Sequence, residues 1–156
     1  MKTLIFLDIE QTLTTDVVDG AELLPGNIRK IQELEIFEGA SLGLMSWAIH
    51  DWTDDETELF NDIRPWVETD STKFHEDFLW SMSDWSHQIL KYDGVIVDAS
   101  EIHQIFRKED IIFKLRKFWQ QTEFEIISLV DDSVDSDLNI CLNDGRIITI
   151  LNIEDL

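Results

Sequence analysis

"LIFLDIEQTLTTD", residues 4–16, runs four apolar side chains straight into Asp8, Glu10 and Thr12. An unbroken apolar run of this length reads as a strand buried on both faces, the kind found in parallel sheets. Carboxylates are expensive beside a core, so two of them at the end of such a strand demand a reason. The same arrangement returns late in the chain. "FEIISLVDD" (124–132) is a second buried run that ends in Asp131 and Asp132.

Outward from these two strands, the remaining elements follow from periodicity and turn residues. Gly20 and the Pro25-Gly26 pair mark residues 14–26 as a loop. "NIRKIQELEIF" has Ile28, Ile31 and Leu34 at helical spacing, with Asn27 as the expected N-cap. "SLGLMSW" (41–47) is a short apolar run that suits a second strand. A helix is expected over about 54–67, broken or kinked near Pro65. Residues 73–91 carry Phe74, Phe78, Met82, Trp85 and Ile89 at steps of three and four, which predicts an amphipathic helix. "GVIVDAS" (94–100) reads as a strand and "EDIIFKLRKFW" (109–119) as a helix. In "ICLNDGRIITIL", Asn143-Asp144-Gly145 between apolar runs predicts a hairpin.

Buried strands alternating with amphipathic helices predict an α/β fold. The expected form is a Rossmann-like three-layer sandwich with a mostly parallel sheet, a C-terminal β-hairpin and minimal or no cap. Residues 1–156 are expected to form one domain, with a small helical insertion over 70–91.

Composition narrows the function classes. Acids outnumber Lys plus Arg by 33 to 12, a formal net charge of -21, which repels nucleic acid and anionic lipid. The bland reading of that charge is solubility; the sharper one is attraction of cations to acidic pockets. Cys141 is the single cysteine, so neither an intrachain disulfide nor a cysteine zinc cluster is available. The N-terminal "MKTLIFLDIE" has too short an apolar run for a signal peptide, and the expected compartment is the cytoplasm. The histidines His50, His75, His87 and His103 show no tight metal spacing, and His75 and His87 fall off the apolar stripe of their helix, where exposure is expected. Trp47 and Trp52 flank the expected end of the second strand, where they suit core packing first and a pocket lining second.

If the two acid-tipped strands are neighbours, Asp8, Glu10, Asp131 and Asp132 converge at one edge, where ligands bind in parallel sheets. A hard divalent cation resolves their repulsion, and Mg²⁺ is the usual choice with one or two carboxylates, phosphate oxygens and water. The competing reading is helix N-capping, which explains one such strand more easily than two. Asp8 just past a strand suits a nucleophile toward phosphorus. Glu10, two residues on, would share its side of an extended chain and suit a general acid and base.

"FLDIEQTLT" resembles the first motif of the haloacid dehalogenase superfamily of phosphohydrolases, which runs Asp-x-Asp-x-Thr after a buried strand. Asp8, Glu10 and Thr12 match it, with Glu where most members have Asp, as in some phosphatase members including enolase-phosphatases; Gln11 replaces a common Gly. Ser46 stands where the second motif has a phosphoryl-binding hydroxyl. Lys108 stands where the third has its Lys, without the Pro that often follows. "LVDDSVDSD" resembles the acidic fourth motif with Asp131, Asp132 and Asp137, and Asp135 competes for the last role.

The resemblance spans residues 4–137 and implies roles. Asp8 would be the nucleophile and Glu10 the general acid and base. Mg²⁺ would be held by the Asp8 carboxylate, the Glu10 backbone carbonyl and Asp132, with Asp131 or Asp137 acting directly or through water. Lys108 would neutralise the nucleophile and phosphate charge. Arg107 and Lys108 open a helix, where the dipole disfavours cations, and facing a phosphate would account for that. Neither gap between the motifs has room for a full cap, so the implied site is open. An open site suits macromolecular or extended phosphorylated substrates, or a cap supplied by a second chain in an oligomer; the phosphorylated substrate is a small molecule or a macromolecule.

Three other readings use the same residues. "DDSVD" fits the DDxxD of isoprenoid diphosphate enzymes, but that motif belongs on a helix and here follows a strand. "FLDIEQT" also resembles the start of acidic exonucleases, but those continue directly into a second hairpin strand and act on nucleic acid. A non-catalytic relative, serving as a binding or interaction module, is the remaining alternative.

Overall fold

The computed structural model describes residues 2–49, 52–81, 112, 119–134 and 138–156. Six strands form one sheet: β1 (Thr3–Leu7), β2 (Ser41–Ser46), β3 (Lys73–Ser81), β4 (Ile126–Asp131), β5 (Leu138–Cys141) and β6 (Ile147–Asn152). Their order across the sheet is β3-β2-β1-β4-β6-β5. All neighbouring pairs are parallel except β5 with β6, which closes the chain as an antiparallel hairpin. This is an α/β fold with a mostly parallel sheet. The hairpin turns where expected, with Gly145 at φ 89, a conformation that L side chains resist.

β1 lies at the centre, and Leu4, Ile5, Phe6 and Leu7 are wholly buried. Their side chains alternate between two apolar clusters on opposite faces of the sheet. Ile5 and Leu7 join Ile28 and Ile31 of α1 (Pro25–Gln32) and Phe60, Ile63 and Val67 of α2 (Asp54–Val67). Leu4 and Phe6 join Phe78, Trp80, Phe124 and, from the stretch between β3 and β4, Ile112 and Trp119. Burying each such aliphatic or aromatic side chain contributes about 1.5–3 kcal/mol.

The topology follows from the crossovers. β1–α1–β2 and β2–α2–β3 advance the same way across the sheet and lay both helices on one face, as successive crossovers of one hand must. After β3 the chain returns past β1 to build β4 on its other side. The strand order therefore reverses between β1 and β4.

Three expectations need correction. α1 begins at Pro25, with Leu24 as N-cap and no side-chain cap bond, because proline's fixed φ and missing N–H suit the first helical position. Asn27 lies inside the first turn. Beyond Gln32 the chain continues in turns, Leu34 to Ile31, Phe37 to Leu34 and Ala40 to Phe37. α2 runs through Pro65 to Val67 without a break: proline forgoes the bond to the Asn61 carbonyl, and only two helical residues follow it.

The third correction is larger. Residues 73–81 are a strand where the spacing predicts a helix. Between Leu42 and Leu44 of β2, its partner β3 advances from Phe74 to Leu79, a bulge that breaks the two-residue alternation. Phe74 and Phe78, four apart, consequently pack in different clusters on opposite faces. Gly43 sits at the bulge. A Cβ there would lie 2.8 Å from both the Phe78 carbonyl oxygen and the Phe6 ring. The rest of the expected 70–91 insertion, the strand over 94–100 and most of the helix over 109–119 lie outside the described residues.

Candidate functional site

The Asp8 amide donates to the Val130 carbonyl oxygen at 3.1 Å, carrying the β1–β4 ladder one step past Leu7 and Val130. That step sets Asp8 opposite Asp131. Asp8 is 6% exposed, Asp131 is fully buried, and Asp132 is half-buried. One carboxylate oxygen from each of the three lies within 4.8 Å of the others. The cluster sits at the carboxyl ends of two parallel strands, at the reversal of strand order, where α/β sheets open a crevice for ligands.

Like charges this close raise one another's affinity for protons. Asp132 is pushed up to about 6, first by burial and then by the hydrogen bond and charge of Asp131. A backbone hydrogen bond and a hydrogen bond with Asp8 oppose the shift. Two local ties hold the segment that carries these acids. Asp131 Oδ1 accepts from the Ser133 amide and from Ser133 Oγ, both at 3.1 Å. Asn152, which registers against Asp131 from β6, donates its Nδ2 to the Val134 carbonyl at 2.8 Å and to the Asp132 carbonyl at 3.4 Å.

Glu10 is oriented differently. The chain bends after Asp8, and the amides of Thr12, Leu13 and Thr14 all donate to the Ile9 carbonyl, at 3.2, 2.8 and 3.0 Å. The extended geometry that would align Glu10 with Asp8 ends there. The Glu10 carboxylate accepts instead from the Val17 amide at 2.8 Å, at the start of a 3-10 turn, Val17–Asp19. Gln11 takes φ 60, the left-handed conformation a glycine adopts freely. Its Nε2 donates to Asp16 Oδ1 at 2.9 Å, so the turn is kept without the glycine. Thr12 is wholly buried, and its hydroxyl has no hydrogen-bond partner among the described residues.

Ser46 ends β2 next to β1 at the same carboxyl edge, buried, its Oγ accepting from the Ala48 amide at 3.1 Å. Lys108, Asp135 and Asp137, with Arg107 and the other basic residues of that stretch, lie outside the described residues. So do His50, His87 and His103, while His75 stands half-buried on β3 with its ring edge-on to Phe78 and Phe124. Trp47 packs against one core cluster. Trp52 packs against the other, edge-on to Phe60, and also lines a shallow groove of about 360 Å³ with Phe60, Asn61, Arg64 and Leu79.

Sequence reasoning missed Ser133 and Asn152. Asn152 carried a usable signal, because it ends the apolar run "IITILN" as Asp8 and Asp131 end theirs.

Fold and site together define an α/β protein with a carboxylate cluster at its topological switch point. Comparison with protein-family models, with curated proteins and with solved structures finds no match. No helix among the described residues is long and apolar enough to cross a membrane.

Proposed function

We propose that this chain is a Mg²⁺-dependent phosphohydrolase of the haloacid dehalogenase-like type, acting on a phosphomonoester through an aspartyl-phosphate at Asp8. The observation that carries the reading is the convergence of Asp8, Asp131 and Asp132 across β1 and β4. Three hard oxygen donors, two of them buried, suit a small divalent cation such as Mg²⁺. Asp8, Asp131 and Asp132 would hold it, with the Glu10 carbonyl and Asp137 as the further donors that the resemblance supplies. Bound there, the ion would offset carboxylate charge and polarise phosphoryl oxygens.

The chain's own groups carry the steps. A carboxylate oxygen of Asp8 attacks phosphorus as the bond to the substrate oxygen breaks, and Glu10 gives that leaving oxygen a proton. Glu10 then takes a proton from water, whose oxygen attacks phosphorus, releasing phosphate and restoring Asp8. Ser46 and Lys108 bind phosphoryl oxygens. The Val17 amide engages only one Glu10 oxygen, Oε2, so the other carries the proton in this sequence. In the same reading the sheet is the middle layer of a Rossmann-like three-layer sandwich with a minimal cap. The protein is cytoplasmic, and its substrate is a phosphorylated small molecule or macromolecule other than nucleic acid.

A second reading, a binding module with the same fold, draws on the Glu10–Val17 bond, which gives one oxygen of the proposed acid a structural partner. Hydrolysis of an aryl phosphate in Mg²⁺ separates the two. Turnover by the wild type, reduced at least about 10³-fold by Asp8→Asn, is the result expected of the enzyme. Equal background release by both proteins rejects it.

A further inference from the structure

We propose that Asn152 is a positioning residue for the carboxylate site, an inference that rests on reading Asp8, Asp131 and Asp132 as a cation site. Its side chain works in two directions. The Nδ2 group donates to the carbonyls of Asp132 and Val134, the residues that bracket the turn after β4. The Oδ1 atom accepts from the Glu154 amide at 2.9 Å and caps the 3-10 turn Ile153–Asp155. Ile153 in that turn is 1% exposed and belongs to the apolar cluster beneath α1 and α2. One planar amide therefore ties the acid-bearing turn to a buried anchor.

The chemistry of the contacts singles out an amide. Both acceptors on the acid-bearing turn are carbonyl oxygens, so the residue at 152 must donate; the group it caps is an N–H, so it must also accept. Asn meets both needs at this reach. Asp keeps the acceptor and loses the donors, and Ser keeps a short acceptor that cannot span to Val134. The carboxylates of the cluster repel one another, and ligands must be held to within about 0.5 Å for tight cation binding. A clamp on the backbone of Asp132 supplies that restraint from outside the ligand set, as the hydrogen-bonded surroundings of metal ligands commonly do.

The test measures Mn²⁺ binding to the full chain by electron paramagnetic resonance, alongside melting temperature in EDTA, for wild type, Asn152→Ser, Asn152→Asp and Asp8→Asn. Asn152→Asp is the discriminating variant. Added negative charge by itself tightens cation binding, whereas loss of the clamp weakens it. The expected result is a Kd raised about 10- to 100-fold in both Asn152 variants, with a changed spectrum of the bound ion. Asn152→Asp should melt in EDTA below the wild type, because its cap is retained but its carboxylate faces two carbonyl oxygens and the acid cluster; Kd is read well below either melting temperature, on folded protein. Wild-type affinity in both variants, or tighter binding in Asn152→Asp, overturns the clamp and leaves the site standing. Should Asn152→Ser fail to fold, Asn152→Asp alone decides. If the wild type binds no more Mn²⁺ than Asp8→Asn does, the cation site itself is rejected, and the clamp with it.

Discussion

β1 and β4 end in acid pairs of opposite spacing, and each pair does the reverse of what strand geometry predicts. Asp8 and Glu10, two apart, should share a side of an extended chain; Asp131 and Asp132, adjacent, should face apart. Instead both Asp131 and Asp132 join the cluster, while the Glu10 carboxylate is bonded to the Val17 amide. The reason is where each strand stops. The chain after β1 bends at Ile9 and wraps three amides around one carbonyl. β4 ends at Asp131 itself, so Asp132 lies on a turn, held there by Ser133 and Asn152. Periodicity governs side chains only while the ladder lasts.

If Glu10 acts on substrate despite its bond to the Val17 amide, removing its proton must cost turnover. Glu10→Gln keeps an acceptor for the Val17 amide and removes the proton. With aryl phosphate and Mg²⁺, kcat should fall about 10²- to 10³-fold with little change in melting temperature. An unchanged kcat would leave Glu10 as a loop anchor only.

A smaller effect belongs to the other pair. Without metal, Asp132 in the folded state holds its proton up to about 6, against an ordinary value of 3.8. Between those values the folded chain binds more protons than the unfolded one, so this group's stabilising contribution is full below about pH 4 and is lost as pH rises through about 6. Melting curves in EDTA should therefore show the wild type losing ground to Asp132→Asn across that window. Parallel pH profiles for the two proteins would contradict the shift.

The smallest effect tests the bend itself. Gln11→Gly relieves a positive φ but removes the bond to Asp16. A stabilisation under about 1 kcal/mol is expected in denaturant titration; a lower midpoint would show that the Gln11–Asp16 bond outweighs the backbone strain.

Much of the sheet was legible because its central strands are buried on both faces. "TLIFL", "SLGLMS" and "IISLVD" leave no polar alternation to be misread, and α2 spans the expected 54–67, its N-cap Thr53 accepting from the Glu56 amide. β3 was illegible for an equally physical reason. It lies at the end of the described strand order, and its bulge puts Phe74 and Phe78 at a helical interval while sending them to opposite faces. The site divides the same way. Asp8, Asp131, Asp132 and Ser46 could be named because each ends or follows an apolar run. Asn152 ends an apolar run as well, but its role lies in carbonyls some twenty residues away in sequence, which that signal does not reveal.

The order of residues was enough to mark the three central strands as buried, to place the turn of the hairpin, and to set acids at the ends of two strands. Those are local consequences of hydrophobicity and turn chemistry. Long-range packing set β4 beside β1, let Asp132 rather than the Glu10 carboxylate complete the cluster, and brought the amide of β6 behind it. Strand order and the backbone's departure from the ladder depend on contacts between distant segments, and no local pattern encodes them.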